Sequence, residues 1–302
     1  MESSSYTVDR TTFGASWGQA TPVLYETAIE LVFYMIFVAM FALASYLYHH
    51  NKVTGIRILL YSTTAMFILG TIQMALKVVI AVVLVRMVRL AVEGNSLALV
   101  RNAFIHNRLV FVRYLLLTTN NALTDSLFMY RCYVVWGRTI SVIILPGASL
   151  AVTTALGYFA TYRNNYLLGS TAYPEIAFIM SVATNSTLTI LTAGRMWWVG
   201  REVRRASTLP GTRNYNTAVV MILESGALYS LCVIGYVVSG AFMNTSAVII
   251  NNIFIGALPQ VVNIVPTLIA VRVGISRGVE ARWIDRATAN LTFTSIRMRS
   301  AV

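Results

Sequence analysis

Residues Leu115–Arg138, LLLTTNNALTDSLFMYRCYVVWGR, have apolar sequence on both sides and yet carry Asn120, Asn121, Asp125 and Arg131. A charged side chain near the centre of a bilayer raises the free energy of insertion by at least about 2.5 kcal/mol, so such residues turn towards other helices. Asn121 and Asp125 are one helical turn apart and share a face, with Thr118 and Cys132 near the same stripe, whereas Arg131 points elsewhere. With a rise of about 1.5 Å per residue, Asp125 falls near mid-membrane and Arg131 about two turns closer to the Trp136 end. A membrane helix with this polar face needs neighbours to cover it.

The rest of the chain supplies them. Of its 302 residues 57% are hydrophobic and only 11% charged, with a mean hydropathy of +0.68; a soluble domain is nearer a quarter charged. Runs long enough to cross about 30 Å of hydrocarbon fall at approximately 23–48, 57–85, 110–136, 140–160, 175–199, 215–240 and 247–272. The expectation is an all-α, polytopic membrane protein. It has a tail at 1–22, a seven-transmembrane-helix bundle at 23–272 and a second tail at 273–302. The second run exceeds what a bilayer needs and is expected to tilt or project. The first twenty residues lack the charged start, apolar centre and cleavage site of a secretory signal, so the first helix is expected to direct insertion.

The net charge of +12 comes almost wholly from arginines spread between the apolar runs. That distribution argues against nucleic acid and for the edges of a lipid bilayer. Lys52 and Arg57, Arg138, the Arg201–Arg213 cluster and the arginines from Arg272 onward lie in the odd-numbered loops and the second tail. The positive-inside rule then puts the N-terminus outside and the C-terminus in the cytoplasm, with Arg86, Arg89, Arg101 and Arg108 dissenting from the second loop. The plasma membrane is the expected location. The sequon at Asn244 would face outward in the sixth loop, a possible glycosylation site. Ile275, Val279 and Trp283, spaced by four, fit a short amphipathic helix on the inner surface.

Other polar residues recur inside the runs. Thr184–Thr189, TNSTLT, echoes Thr119–Thr124, TNNALT, and places Asn185 in the fifth span. Gln260 and Asn263 share a face of the seventh, ahead of Pro266. Asn121, Asp125, Asn185, Gln260 and Asn263 are therefore the candidate polar core, serving a ligand or a pathway. Glu224 is expected to join Arg131 or Arg195 in an inner ionic cluster. Glu30 and Lys77, at similar depth, form the expected outer ion pair, and Glu26 could meet Arg86. Each also has a purely structural reading as helix glue, about 0.6–2 kcal/mol per contact.

Several chemistries lack their residues. The seventh span has no lysine for a retinal Schiff base; His49, His50 and His106 lie in loops without a metal-ligand pattern; no Gly-x-Ser-x-Gly elbow occurs. Cys132 and Cys232 support neither a disulfide framework nor a metal site. The expectation is a non-enzyme with no cofactor.

The motifs TNNALTDSLFMYRCYVVWG, TNSTLTILTAGRMWW and ESGALYS together resemble a large group of uncharacterised seven-helix membrane proteins of mushroom-forming fungi, over essentially the whole chain. The resemblance implies origin and topology rather than activity. The topology is also similar to that of G-protein-coupled receptors, although the acidic-Arg-Tyr motif is echoed only by Tyr130-Arg131-Cys132, and neither Asn-Pro-x-x-Tyr nor an outer cysteine pair is present. The leading expectation is an orphan receptor-like protein with an unknown small-molecule or peptide ligand and a cytoplasmic signalling partner. Its rivals are a proton- or solute-translocating transporter or channel, and a structural membrane scaffold.

Overall fold

The computed structural model describes residues 10–50, 57–166, 172–206, 212–241, 249–272 and 274–275. These form seven helices: α1 (Arg10–His50), α2 (Arg57–Val92), α3 (Ser96–Val135), α4 (Ser141–Tyr166), α5 (Ala172–Ala206), α6 (Thr212–Ala241) and α7 (Ile249–Arg272). Among the described residues, four helical segments are long and apolar enough to cross a membrane: Ala20–His49, Leu60–Val92, Ser141–Arg163 and Ile249–Arg272. The chain is thus a helical, membrane-type protein. The apolar stretch found in α6, Gly226–Gly240, is shorter. α3 and α5 fall outside the set, and the polar residues that line their inner faces account for it.

Three of the helices extend well past the expected boundaries. α1 begins at Arg10 rather than near residue 23, so half of the expected tail is helical. Pro22 lies inside it without ending it. α2 continues to Val92 and α3 begins at Ser96, so the expected second loop is a helical hairpin closed by the turn Glu93–Asn95. The arginines at 86, 89, 101 and 108 do not break a helix, whereas Gly94 does, at φ 71°. Asn95 then caps α3 by accepting a hydrogen bond from the Ala98 N–H at 3.2 Å. α3 ends through Gly137 and Arg138, both at positive φ, with the Arg138 N–H bonded to the Tyr133 carbonyl at 2.9 Å. The Asn244 sequon and the tail positions Val279 and Trp283 lie outside the described residues.

Contacts fix the helix directions. Tyr34 meets Thr71 and Phe41 stacks on Phe67, so α1 and α2 are antiparallel. Thr119 meets Tyr158 and Met129 approaches Gly147, so α3 and α4 are antiparallel too. Asn121 meets Ser181 and Trp136 meets Leu191, which makes α3 and α5 parallel. Ser239 reaches Asn251 and Glu224 reaches Arg272, setting α6 against α7. α7 runs parallel to α1, with Gln260 at Glu30 and Tyr48 at the Ala270 carbonyl. Odd helices run one way and even helices the other.

α7 packs between α6 and α1. Tyr229 and Val233 of α6 pack with Ala257, Leu258, Val261, Val262 and Val265 of α7 in the apolar core. On its other side Gly256 lies against the backbone of α1, where an added Cβ would fall 2.7 Å from the Glu26 carbonyl oxygen. Large apolar side chains such as Leu145, Val152 and Phe159 of α4 remain exposed on the outside, as expected where lipid replaces water.

Candidate functional site

The polar residues of the bundle fall into three levels. The first lies towards the N-terminal half of α1. Arg113 of α3 donates to Glu30 at 2.9 Å, and Lys77 of α2 donates to Glu26 at 2.7 Å. Gln260 of α7 approaches the other Glu30 oxygen at 3.5 Å. Glu30 and Lys77 are buried and lie within electrostatic reach of each other, but they are not hydrogen-bonded partners. The expected pairing is thereby exchanged, because Arg113 occupies the Glu30 face and leaves Lys77 to the carboxylate one turn along. Glu26 correspondingly meets Lys77 rather than Arg86. Two acids and two bases balance, which satisfies the requirement that buried charges be paired.

The second level holds two networks that diverge from neighbouring residues of α3. Asn120 donates its amide to Asn263 of α7 at 2.8 Å and, at 3.4 Å, to Gln73 of α2. Asn121 turns the other way, donating to Ser181 of α5 at 3.0 Å and to Asp125 at 3.3 Å. Asn185 donates to the second Asp125 oxygen at 2.7 Å. The Tyr229 hydroxyl of α6 donates to Asn121 at 3.1 Å and shares a 2.8 Å hydrogen bond with Ser181. Asp125 is 0% exposed, and no basic side chain among the described residues forms an ion pair with it.

The third level is at the opposite end. The two terminal nitrogens of Arg131 are buried without a hydrogen-bond partner among the described residues. The Arg195 guanidinium sits 5.2 Å from the Trp136 ring centre and 4.7 Å from that of Trp198, a cation–π sandwich. Glu224 joins neither. It accepts from Arg272 at 2.7 Å, on a half-exposed surface. The expected inner cluster of Arg131, Arg195 and Glu224 is therefore not formed: α7 brings its own arginine to α6, and indole faces hold Arg195.

The five expected core residues thus divide. Asn121, Asp125 and Asn185 share one network, while Asn263 belongs to the Asn120 network and Gln260 to the ionic level. Sequence reading passed over Gln73, Arg113, Asn120 as a partner of Asn263, Ser181, Tyr229 and Arg272. Arg113 was detectable, since it precedes Asn120 by seven residues and so shares its helix face. Ser181 precedes Asn185 by four, repeating the Asn121–Asp125 spacing. Tyr229 carried no comparable signal, because an aromatic in an apolar run reads as packing.

Buried atoms without a hydrogen-bond partner among the described residues accompany these networks: Gln73 Nε2, Asn120 Oδ1, Asn185 Oδ1 and Gln260 Oε1. Native cores leave few such atoms. Beside the site, an apolar recess of about 120 Å³ lies on the α5–α6 seam, lined by Val182, Val233, Ile234, Val237 and Val238. No family model, no curated protein and no solved structure matches this chain.

Proposed function

We propose that the protein is a receptor-like seven-helix protein of the plasma membrane, N-terminus outside, in which α3 couples a core polar site to the cytoplasmic surface. The observation that carries this reading is the pair of networks on α3. Asn120 ties it to α2 and α7, and Asn121 with Asp125 ties it to α5 and α6. A rearrangement of one network that turns or shifts α3 also moves the root of the other, since the two are rooted in adjacent residues of one helix. The unpaired amide atoms supply an alternative set of hydrogen bonds, as a two-state element requires. Arg131 shares the Asn120 face at the far end of the same helix, and its two terminal nitrogens, buried without a hydrogen-bond partner among the described residues, would meet an acidic group of a cytoplasmic partner only once the helices there move apart.

The orientation rests on the alternating helices. They put Arg138, Arg201 and Arg272 at one end, together with Trp136, Trp197 and Trp198, the residues that favour a bilayer interface. The arginines of the α2–α3 hairpin lie beyond the ionic level on the other side.

Two measurements test the reading. In liposomes with an imposed proton gradient and an internal pH-sensitive dye, the purified protein is expected to leak no faster than empty vesicles. A faster leak that vanishes in Asp125→Asn would establish a transporter instead. Spin labels at Tyr130→Cys and Leu228→Cys, with Cys132 and Cys232 replaced by alanine, are expected to show a changed distance distribution when Asp125→Asn is added. An unchanged distribution would remove the coupling.

A further inference from the structure

The Asp125 carboxylate poses an electrostatic problem that the residues around it leave unsolved. It is wholly buried, and its hydrogen bonds come only from neutral groups, two carboxamides and a hydroxyl. An ionised carboxylate in such surroundings is strongly disfavoured without a compensating positive charge. The ionic level compensates Glu26 and Glu30 with Lys77 and Arg113; nothing comparable faces Asp125 from α5 or α6 among the described residues.

The groups that do face it are rich in oxygen. Ser181 Oγ, Tyr229 Oη, Asn121 Oδ1 and Asn185 Oδ1 all belong to side chains bonded to Asp125 or to one another. Asn185 is 3% exposed and its Oδ1 has no partner among the described residues. The carboxylate is also held unevenly. Oδ1 accepts a short 2.7 Å bond from Asn185, whereas Oδ2 has only contacts of 3.3 Å to Asn121 and 3.5 Å to Ser181. These two exceed the usual range of about 2.7–3.2 Å, so that oxygen is underbonded.

We propose that the Asp125 site binds a monovalent alkali cation of the sodium class. The cation would sit between Asp125, Ser181 and the Asn185 carboxamide, joining α3 to α5. The two faces of a carboxamide have nearly the same shape, so a half-turn of Asn185 exchanges its donor for its unpaired oxygen without repacking. The ligand set is hard, all-oxygen and carries a single formal charge. Calcium sites commonly muster several carboxylates, and zinc favours His and Cys; no trio of His, Cys, Asp or Glu able to hold a metal occurs among the described residues. A single charge with neutral oxygens suits a singly charged ion. The site does not depend on the receptor-like reading, since it would join the same helices in a transporter.

The test is the thermal stability of the purified full-length protein in nanodiscs, titrated with NaCl against choline chloride at constant ionic strength and pH. The expected result is a saturable, sodium-specific rise in Tm of about 2 °C or more, as binding to the folded state alone requires. Asp125→Asn should abolish it. Asn185→Leu keeps the carboxylate and should raise the half-saturating sodium concentration on the order of tenfold, which preserves the test if Asp125→Asn does not fold. Equal Tm in sodium and choline would overturn the proposal. So would a Tm that follows pH at fixed sodium but ignores sodium at fixed pH, the behaviour of a carboxyl that simply holds a proton.

Discussion

Glu30 and Glu224 show how differently two acidic residues of one bundle are treated. Glu30 is 0% exposed and bonded to Arg113, itself largely buried. Removing one member of such a pair leaves an uncompensated buried charge, a loss of about 3–5 kcal/mol. Arg113→Met is therefore expected to lower the thermal stability of the detergent-solubilised protein severely, and Glu30→Gln added to Arg113→Met should recover part of the loss. No recovery in the double variant would show that the pair does not act as a unit. Glu224 is 55% exposed opposite Arg272, and exposed pairs contribute only about 0–1 kcal/mol. Glu224→Gln should leave Tm within about a degree of the parent. At this scale the sequence made the Asn121, Asp125 and Asn185 grouping legible through helical spacing and through the demand that polar residues in apolar runs face inward. It did not reveal which base meets which acid. Glu26 and Glu30 are one turn apart, and Lys77 and Arg113 come from different helices, so the pairing is set by how those helices rotate against one another.

At the scale of helices, the seams are set by where backbone approaches backbone. An added Cβ at Gly256 would meet the Glu26 carbonyl oxygen at 2.7 Å and the Ile29 Cβ at 3.2 Å, and a carbonyl held in α1 cannot swing aside as a side-chain tip can. Gly256→Ala should force α1 from α7 and destabilise by about 1–3 kcal/mol. Gly14, with nothing within 4 Å of the added carbon, provides the control. Gly14→Ala removes a helix-weakening residue and should be neutral or stabilising by up to about 1 kcal/mol. The reverse order of the two variants in a thermal melt would contradict the α1–α7 packing. Helix existence was legible from apolar run length, but helix ends were not. The expected boundaries at residues 23, 85 and 110 sit at the charges, Gly, Pro and Asn clusters that bound the apolar runs, here Pro22, Arg86 and Arg108. A helix ends where the backbone turns to positive φ or a cap takes over: Gly70 is carried inside α2 and Pro22 inside α1, whereas Gly94 at φ 71° and the Asn95 cap separate α2 from α3. The TNNALT and TNSTLT echo was likewise only half informative. The segments do lie on parallel neighbours, but Asp125 meets Asn185, so the two motifs are offset along the bundle rather than level.

For the whole molecule the alternating helices leave one question of direction, which the two ends of α3 open to a test. The turn Glu93–Asn95 and the turn around Gly137 terminate opposite ends of α3, a helix of 40 residues and so about 60 Å long. This is twice the hydrocarbon thickness of a bilayer, so the two turns cannot lie on the same side if α3 crosses it. The charge rule would place the Gly137 turn inside, with Arg138 beside it, and would thereby put the hairpin and its four arginines outside, against their own charge. Ser96 and Thr139 are both exposed and lie next to these turns. In a variant with Cys132 and Cys232 replaced by alanine, Ser96→Cys should react with a membrane-impermeant maleimide applied to intact cells, and Thr139→Cys should react only after permeabilisation. The opposite pattern would invert the bundle, with the Arg131 end facing outward, and would exclude a cytoplasmic partner for that arginine. Labelling of both positions in intact cells would mean that α3 does not cross the membrane. Its polar residues would then face helices at an aqueous surface, and the receptor-like reading would fail with the topology that supports it.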